Sequence, residues 1–169
     1  MPLVRFTDPF DIITHLLVGS EGTLAFGSQF TMRTGHLYPQ SASAMLYFRT
    51  MADACNAVKA MKSQPVFSAE ILDRKSLSSV GDTTGPDLTA VLTETKADTP
   101  EELQANILAI EKALLPFSLY VPAHFTSNPQ EYARYWAIRS GIFPSVGGTR
   151  PMGTTVIIED IAFHIENLT

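Results

Sequence analysis

The sequence predicts a domain of the α+β class, in which an antiparallel sheet carries helices on one face. Two observations support this: short segments with alternating apolar residues, typical of strands, and longer segments with apolar residues at helical spacing behind a capping residue. The chain has 169 residues, 45% of them hydrophobic and ten of them Phe, enough to fill the core of one large domain.

Helices are predicted where a capping side chain precedes apolar residues spaced three or four apart. Thr50 and Thr99 are such caps, and Thr99 belongs to a capping box with proline at the first helical position. Asp8 and Asn128 each precede a proline in the same way. The predicted helices are residues 9–18, 51–61, 99–114 and 129–142, with a helical turn at 76–80.

Strands are predicted at residues 24–33, 43–48, 66–72, 88–95, 119–125 and 154–161. The segment 88–95 alternates most clearly, whereas Pro122 makes 119–125 an edge strand. Residues 143–153 are rich in glycine and proline and are predicted to be a loop. Strands and helices in this order favour a ferredoxin-like arrangement.

Composition excludes several classes of function. The net charge of −5 argues against nucleic acid as a partner, and no apolar run is long enough to cross a membrane. Cys55 is the only cysteine, which excludes a disulfide framework, and a cysteine-ligated iron–sulfur cluster within this segment. The beginning of the chain lacks the form of a signal peptide, so the expected location is the cytoplasm.

A short glycine-containing segment, residues 18–25, lies between the first predicted helix and the first predicted strand. Gly19 and Gly22 permit a tight turn and a close approach to a ligand, while Ser20 and Thr23 add small hydroxyls. A plain turn between helix and strand explains the same spacing. Neither the Gly-x-Ser-x-Gly elbow nor the phosphate loop that ends in Gly-Lys is present.

Arg139 is the most informative single side chain. Tyr132, Tyr135 and Trp136 share its helical face, and an arginine beside aromatic residues on an inward face requires an anionic partner. Its planar fork can hold a carboxylate with two hydrogen bonds. The alternatives are a surface arginine and a structural ion pair, with the acidic candidates Glu131, Glu159 and Asp160.

Two stretches resemble one known family. Gly19-Ser20-Glu21-Gly22-Thr23-Leu24 resembles the Gly-(Ser/Thr)-Glu-Gly-Thr-Leu signature of the FAD-linked oxidases, which include D-lactate dehydrogenase, the glycolate oxidase flavin subunit and D-2-hydroxyglutarate dehydrogenase. Residues 135–144 resemble the Trp-x-x-Arg helix of that family, and residues 153–160 resemble the strand that follows it. The residues at the variable positions of these motifs are most similar to those of the long bacterial FAD and iron–sulfur oxidases.

The resemblance implies a domain organisation. Residues 1–34 would be the C-terminal edge of an FAD-binding domain, and residues 35–169 a truncated substrate, or cap, domain. The chain would thus be an excised piece of a longer protein. It would be inactive alone and without FAD of its own, and any iron–sulfur cluster would lie elsewhere in the parent.

The resemblance also implies site residues. Arg139 would bind the substrate carboxylate, and the residues contributing to the FAD wall would be Gly19, Ser20, Glu21, Gly22, Thr23, Leu24 and Ala25. The catalytic base and the metal ligands of the family would lie beyond this chain, so no catalytic residue is assigned. The four histidines are too far apart in sequence to indicate a metal pair, and no metal site is predicted.

Three hypotheses follow. In the first, the parent is a flavin-dependent dehydrogenase that oxidises a D-2-hydroxy acid to a 2-oxo acid, with the remainder of the parent chain as partner. In the second, the chain is a non-catalytic ferredoxin-like module that binds a ligand or a partner. In the third, it is a dimerisation domain that forms a homodimer.

Overall fold

A computed structural model describes residues 2–20, 22–82, 84–85, 87–155 and 164–168. The chain divides into two compact units, Met1–His36 and Leu37–Thr169. Each unit is described separately below.

The first unit contains two helices, α1 (Pro2–Arg5) and α2 (Pro9–Leu17). Asp8 caps α2 as predicted, since its Oδ1 accepts a hydrogen bond from the Phe10 amide at 2.9 Å. No residue of α2 is buried. The strand predicted at residues 24–33 is wrong: residues 22–36 form no strand, because this unit offers no described strand with which they could pair.

In the part of the second unit that the structure describes, the strands form a three-stranded antiparallel sheet. Its strands are β1 (Gln40–Phe48), β2 (Ser68–Leu72) and β3 (Thr89–Ala97), in the spatial order β1–β3–β2. On either side of β3, Ser43 of β1 and Ser68 of β2 lie opposite Glu94. The predicted α+β class and antiparallel sheet are confirmed.

Among the described residues of this unit, four α-helices surround the sheet: α3 (Met51–Met61), α4 (Arg74–Ser79), α5 (Pro100–Leu114) and α6 (Pro129–Thr149), with a 3₁₀ turn at Ile165–Asn167. The predicted caps of three of them are confirmed. Thr50 Oγ1 accepts from the Asp53 amide at 3.1 Å, and Thr99 Oγ1 from the Glu102 amide at 3.2 Å. Asn128 Oδ1 accepts from the first turn of α6 in the same manner.

Helices α3 and α5 form the expected layer on one face of the sheet. Their buried side chains, such as Ala57 and Ile110, pack with Leu46 and Phe48 of β1 in one core cluster. Cys55 is a buried residue of α3, so it is part of the core.

The opposite face of the sheet is covered as well, which the sequence did not predict. Leu77 of α4 and Ile142 of α6 join Met45, Leu72 and Leu92 in a second core cluster. Strand β3 is therefore covered on both faces, and this explains why nearly all of its residues are buried.

Two predictions in the second half of the chain are corrected. Residues 119–125 form no strand; the neighbouring Thr126 makes only an isolated bridge with Ser43. The loop expected at residues 143–153 is instead helical as far as Thr149, because Val146 packs on the second core cluster and the Ser145 hydroxyl donates to the carbonyl of Ser79. Tertiary contacts here outweigh the low helix propensity of glycine and proline.

Most of the strand predicted at 154–161 lies outside the described residues. Among the helices that are described, none is both long enough and apolar enough to cross a bilayer.

Candidate functional site

One stripe of α6 is joined to all three strands by polar contacts. The donors are spaced four and three residues apart, so they lie on one side of the helix. The contacts are Tyr132 Oη to Glu94 of β3, Trp136 Nε1 to Ser43 of β1, and Arg139 Nε to Glu70 of β2.

Glu94 is a buried carboxylate in the central strand, with only 4% of its side chain exposed. Tyr132 donates to it, the Ser68 hydroxyl lies 3.4 Å away, and Lys96 Nζ lies 3.4 Å from its Oε2. Lys96 Nζ also lies 3.8 Å from the centroid of the Phe67 ring. A buried charge needs such partners, so Glu94 acts as an anchor for α6 rather than as an accessible ligand.

Tyr132 is affected by this anchor. Burial, followed by the hydrogen bond to Glu94, raises the pKa of the Tyr132 phenol above its usual value of 10.0. The phenol therefore remains a hydrogen-bond donor to Glu94 throughout the neutral range.

Arg139 lies at the rim of the same interface. Its Nε donates to Glu70 Oε2 at 2.6 Å, and the two side chains are 43% and 33% exposed. Tyr135 and Trp136 of the same helix pack on the second core cluster, which places the aromatic side chains inward. The guanidinium is therefore held by a short ion pair and is also accessible to solvent.

Glu70 was not among the acidic partners that the sequence suggested for Arg139. Of the three candidates from the sequence, Glu131 lies 3.6 Å from His124, whereas Glu159 and Asp160 lie outside the described residues. Glu70 and Glu94 occupy strand positions on the same face as Leu72 and Leu92. In each strand a buried leucine is the neighbouring residue on the same face, and a charged residue beside it was the signal that could have identified both glutamates.

Two cavities lie within the described part of the chain, and Arg139 is in the wall of neither. The larger cavity, of about 340 Å³, is mostly apolar and is lined by residues such as Met61, Val66 and Phe67.

The smaller cavity, of about 110 Å³, is lined by charged and polar side chains. In its wall, Tyr47 Oη donates to Asp82 Oδ2 at 2.6 Å, and the Thr84 amide donates to Asp82 Oδ1 at 2.9 Å. Burial alone would raise the pKa of Asp82, but these hydrogen bonds outweigh it and hold the pKa below the usual 3.8. Burial, then the hydrogen bond to Asp82, raises the pKa of Tyr47 to about 12.

The glycine segment of the first unit forms a tight turn. Gly19 and Gly22 have φ angles of 83° and 74°, and the Thr23 amide donates to the Ser20 carbonyl at 2.9 Å. Only glycine adopts such angles without strain. No described atom lies within 4 Å of the position that a Cβ would take at either glycine. The turn therefore has open space beside its backbone at both glycines.

Of the remaining residues assigned to that wall, Leu24 and Ala25 are exposed, whereas Glu21 lies outside the described residues. No group of three or more His, Cys, Asp or Glu side chains in the described ranges is arranged to hold a metal ion.

Comparison with known proteins decides the family. Residues 38–169 match the family model described as FAD linked oxidases, C-terminal domain. The chain belongs to this family. The chain is therefore part of an oxidoreductase family whose members use FAD. No curated protein matches the chain.

Proposed function

We propose that this chain supplies the substrate-binding cap of an FAD-dependent dehydrogenase that oxidises a D-2-hydroxy acid to the corresponding 2-oxo acid. The observation that supports this most directly is the Arg139 guanidinium, fixed by Glu70 and still accessible. A planar cation in this state is suited to hold a substrate carboxylate in one orientation.

The cofactor would be held in part by residues of the first unit. FAD, when bound, would accept the hydride from the hydroxyl-bearing carbon of the substrate. Gly19 and Gly22 would let its ring or phosphates approach the backbone, with Ser20 and Thr23 as nearby polar groups. The remainder of the flavin site, the catalytic base and any iron–sulfur centre would belong to the rest of the parent, in the cytoplasm.

The cap would orient the substrate. Trp136 and Tyr132 fasten α6 to the sheet, which limits the movement of Arg139 relative to β2. A carboxylate bound by two hydrogen bonds to a fixed guanidinium cannot rotate freely. The reacting carbon of the substrate would therefore be held in a narrow range of geometries.

Substitution of Arg139 in the enzyme that contains this chain tests the proposal. We expect Arg139→Ala to lower kcat/KM for D-2-hydroxy acids by about 100-fold or more, because both charge and geometry are lost. Arg139→Lys keeps the charge and loses the fork, and should fall between Ala and wild type.

The matched control is Arg134→Ala, which removes an exposed guanidinium from the same helix. We expect it to retain kcat/KM. An unchanged kcat/KM in Arg139→Ala would remove Arg139 from the substrate site and with it the support for this function.

A further inference from the structure

The larger cavity of the second unit, of about 340 Å³, is lined by residues of α3, of the edge strand β2 and of the C-terminal segment. Val58 and Met61 lie three residues apart on α3, so they share one side of the helix. Ala69 of β2 and Ile165 and Leu168 of the C-terminal segment add further apolar side chains to the wall. Both the volume and the apolar lining are typical of sites that bind small organic molecules.

Lys62 is the one charged residue in the described wall of this cavity. It directly follows α3 and forms an ion pair with Glu166, a residue of the C-terminal 3₁₀ turn. The two side chains are 57% and 60% exposed. Because an ion pair this exposed contributes little to stability, another carboxylate can take the place of Glu166 at small cost.

We propose that this cavity binds a free medium-chain fatty acid. The aliphatic chain lies among the apolar side chains, and the carboxylate replaces that of Glu166 at Lys62. The apolar wall supplies most of the affinity, because it removes hydrocarbon from water, whereas Lys62 selects a ligand with a negative head. The inference does not depend on the proposed function, since neither the substrate clamp nor the flavin segment contributes to this cavity.

The chain length of the acid should determine how tightly it binds. Each methylene that enters the cavity should raise the affinity about threefold, somewhat less than for complete burial, because the cavity is open on one side. Octanoate should therefore bind much more tightly than butyrate, although both acids carry the same charge. Octanol has the same aliphatic chain as octanoate without the carboxylate, and so it separates the contribution of the chain from that of the charge.

Calorimetric titration of this chain with butyrate, octanoate and octanol provides the first test, and NMR of methyl-labelled methionine locates the bound ligand. The methyl signal of Met61 should shift with octanoate, because Met61 lines the cavity, whereas Met51 at the other end of α3 should not respond. Ala69→Leu places a larger side chain in the wall at an exposed position and should weaken octanoate and octanol by about tenfold or more. Ala105→Leu is the control, because it makes the same change at an exposed position of α5 outside this wall.

Two charge variants should have opposite effects on octanoate. Lys62→Gln removes the cation and should lower the affinity about threefold, the modest factor that an exposed pair allows. Glu166→Gln removes the competing carboxylate and should raise the affinity by a similar factor, about threefold. Neither variant should change the affinity for octanol. Lys75→Gln removes an exposed cation from α4 and should leave both ligands unaffected.

The assignment is overturned if octanoate binds no more tightly than butyrate, if Met61 does not respond, or if Ala69→Leu binds like the wild type. It is also overturned if Lys62→Gln and Glu166→Gln change octanoate affinity in the same direction or leave it unchanged. Loss of octanoate and octanol by equal factors in Lys62→Gln would indicate an uncharged occupant, such as an apolar polypeptide segment, and would exclude the fatty acid.

Discussion

Tyr132 and Arg139 lie about two turns apart on α6, and each donates a hydrogen bond to a glutamate of the sheet. The first glutamate, Glu94, is almost fully buried, whereas the second, Glu70, is one-third exposed. One helix face therefore carries an anchor at one end and an accessible ion pair at the other. Substitutions at the two ends should have different effects, on stability at Tyr132 and on ligand binding at Arg139.

Tyr132→Phe should lower the stability of the second unit. The change removes the donor to Glu94 and leaves a buried carboxylate with one partner fewer. We expect the free energy of unfolding to fall by about 1–3 kcal/mol in urea denaturation. Tyr135→Phe is the control, because no hydrogen bond of its hydroxyl occurs among the described contacts, and it should change stability by less than about 0.5 kcal/mol. Equal effects of the two substitutions would contradict the anchor role of Glu94.

Thr93→Val should stabilise the protein. Thr93 Oγ1 is the one buried side-chain oxygen or nitrogen without a partner in the described part of the chain, and the residue is fully buried. Replacing an unsatisfied hydroxyl by a methyl group of similar size should raise the free energy of unfolding by about 1 kcal/mol.

Thr95 offers a matched comparison on the same strand and the same face. It too is fully buried, but its hydroxyl donates to the Pro65 carbonyl at 2.7 Å. Thr95→Val should therefore destabilise by about 1 kcal/mol. If thermal unfolding shows the same sign for both variants, the explanation by hydrogen-bond satisfaction is wrong.

Asp82 should make part of the stability depend on acid pH. Hydrogen bonds from Tyr47 and Thr84 lower the pKa of Asp82 below 3.8 in the folded state. Its contribution is therefore present above that value and is lost as the pH falls through the folded-state pKa. Asp82→Asn should show a smaller loss of unfolding free energy than the wild type when urea denaturation is repeated below about pH 4. If the unfolding free energies of the wild type and of Asp82→Asn fell equally with pH, this role of Asp82 would be refuted.

Tyr47 should make part of the stability depend on alkaline pH, with stability lost as the pH rises. Its pKa is raised to about 12 in the folded state, from 10.0. The contribution to stability is therefore complete below pH 10 and is lost as the pH rises towards 12. Phenolate absorbance of wild type minus Tyr47→Phe should show a group that ionises near 12 in the folded protein. In urea the same difference should titrate near the usual value of about 10.

Local signals in the sequence were sufficient to locate much of the second unit. The caps at Thr50, Thr99 and Asn128 act on the first turn of their own helices, so their effect can be inferred from neighbouring residues alone. The same holds for the alternation that marks β3, because adjacent side chains of a strand always point to opposite faces.

Features that depend on distant contacts were not accessible in this way. The extension of α6 beyond Ile142 depends on Val146 and Ser145, which contact the second core cluster and α4. The pairing of Arg139 with Glu70 joins residues 69 positions apart, and the pattern that marks Glu70 within β2 does not identify its partner. The assignment of Gly19–Ala25 and Arg139 to flavin and substrate stays a prediction, as does the domain boundary at residue 35.

The order of the strands has a consequence for biosynthesis. The first two strands to leave the ribosome, β1 and β2, do not pair with each other, because the last strand, β3, lies between them. A nascent chain that ends at Leu72 therefore contains no strand with which β1 or β2 could pair. The sheet can form only after β3 has been translated to Ala97. Until then the edges of both segments remain unpaired, and a chaperone or slow association would be needed to prevent them from pairing with other polypeptides.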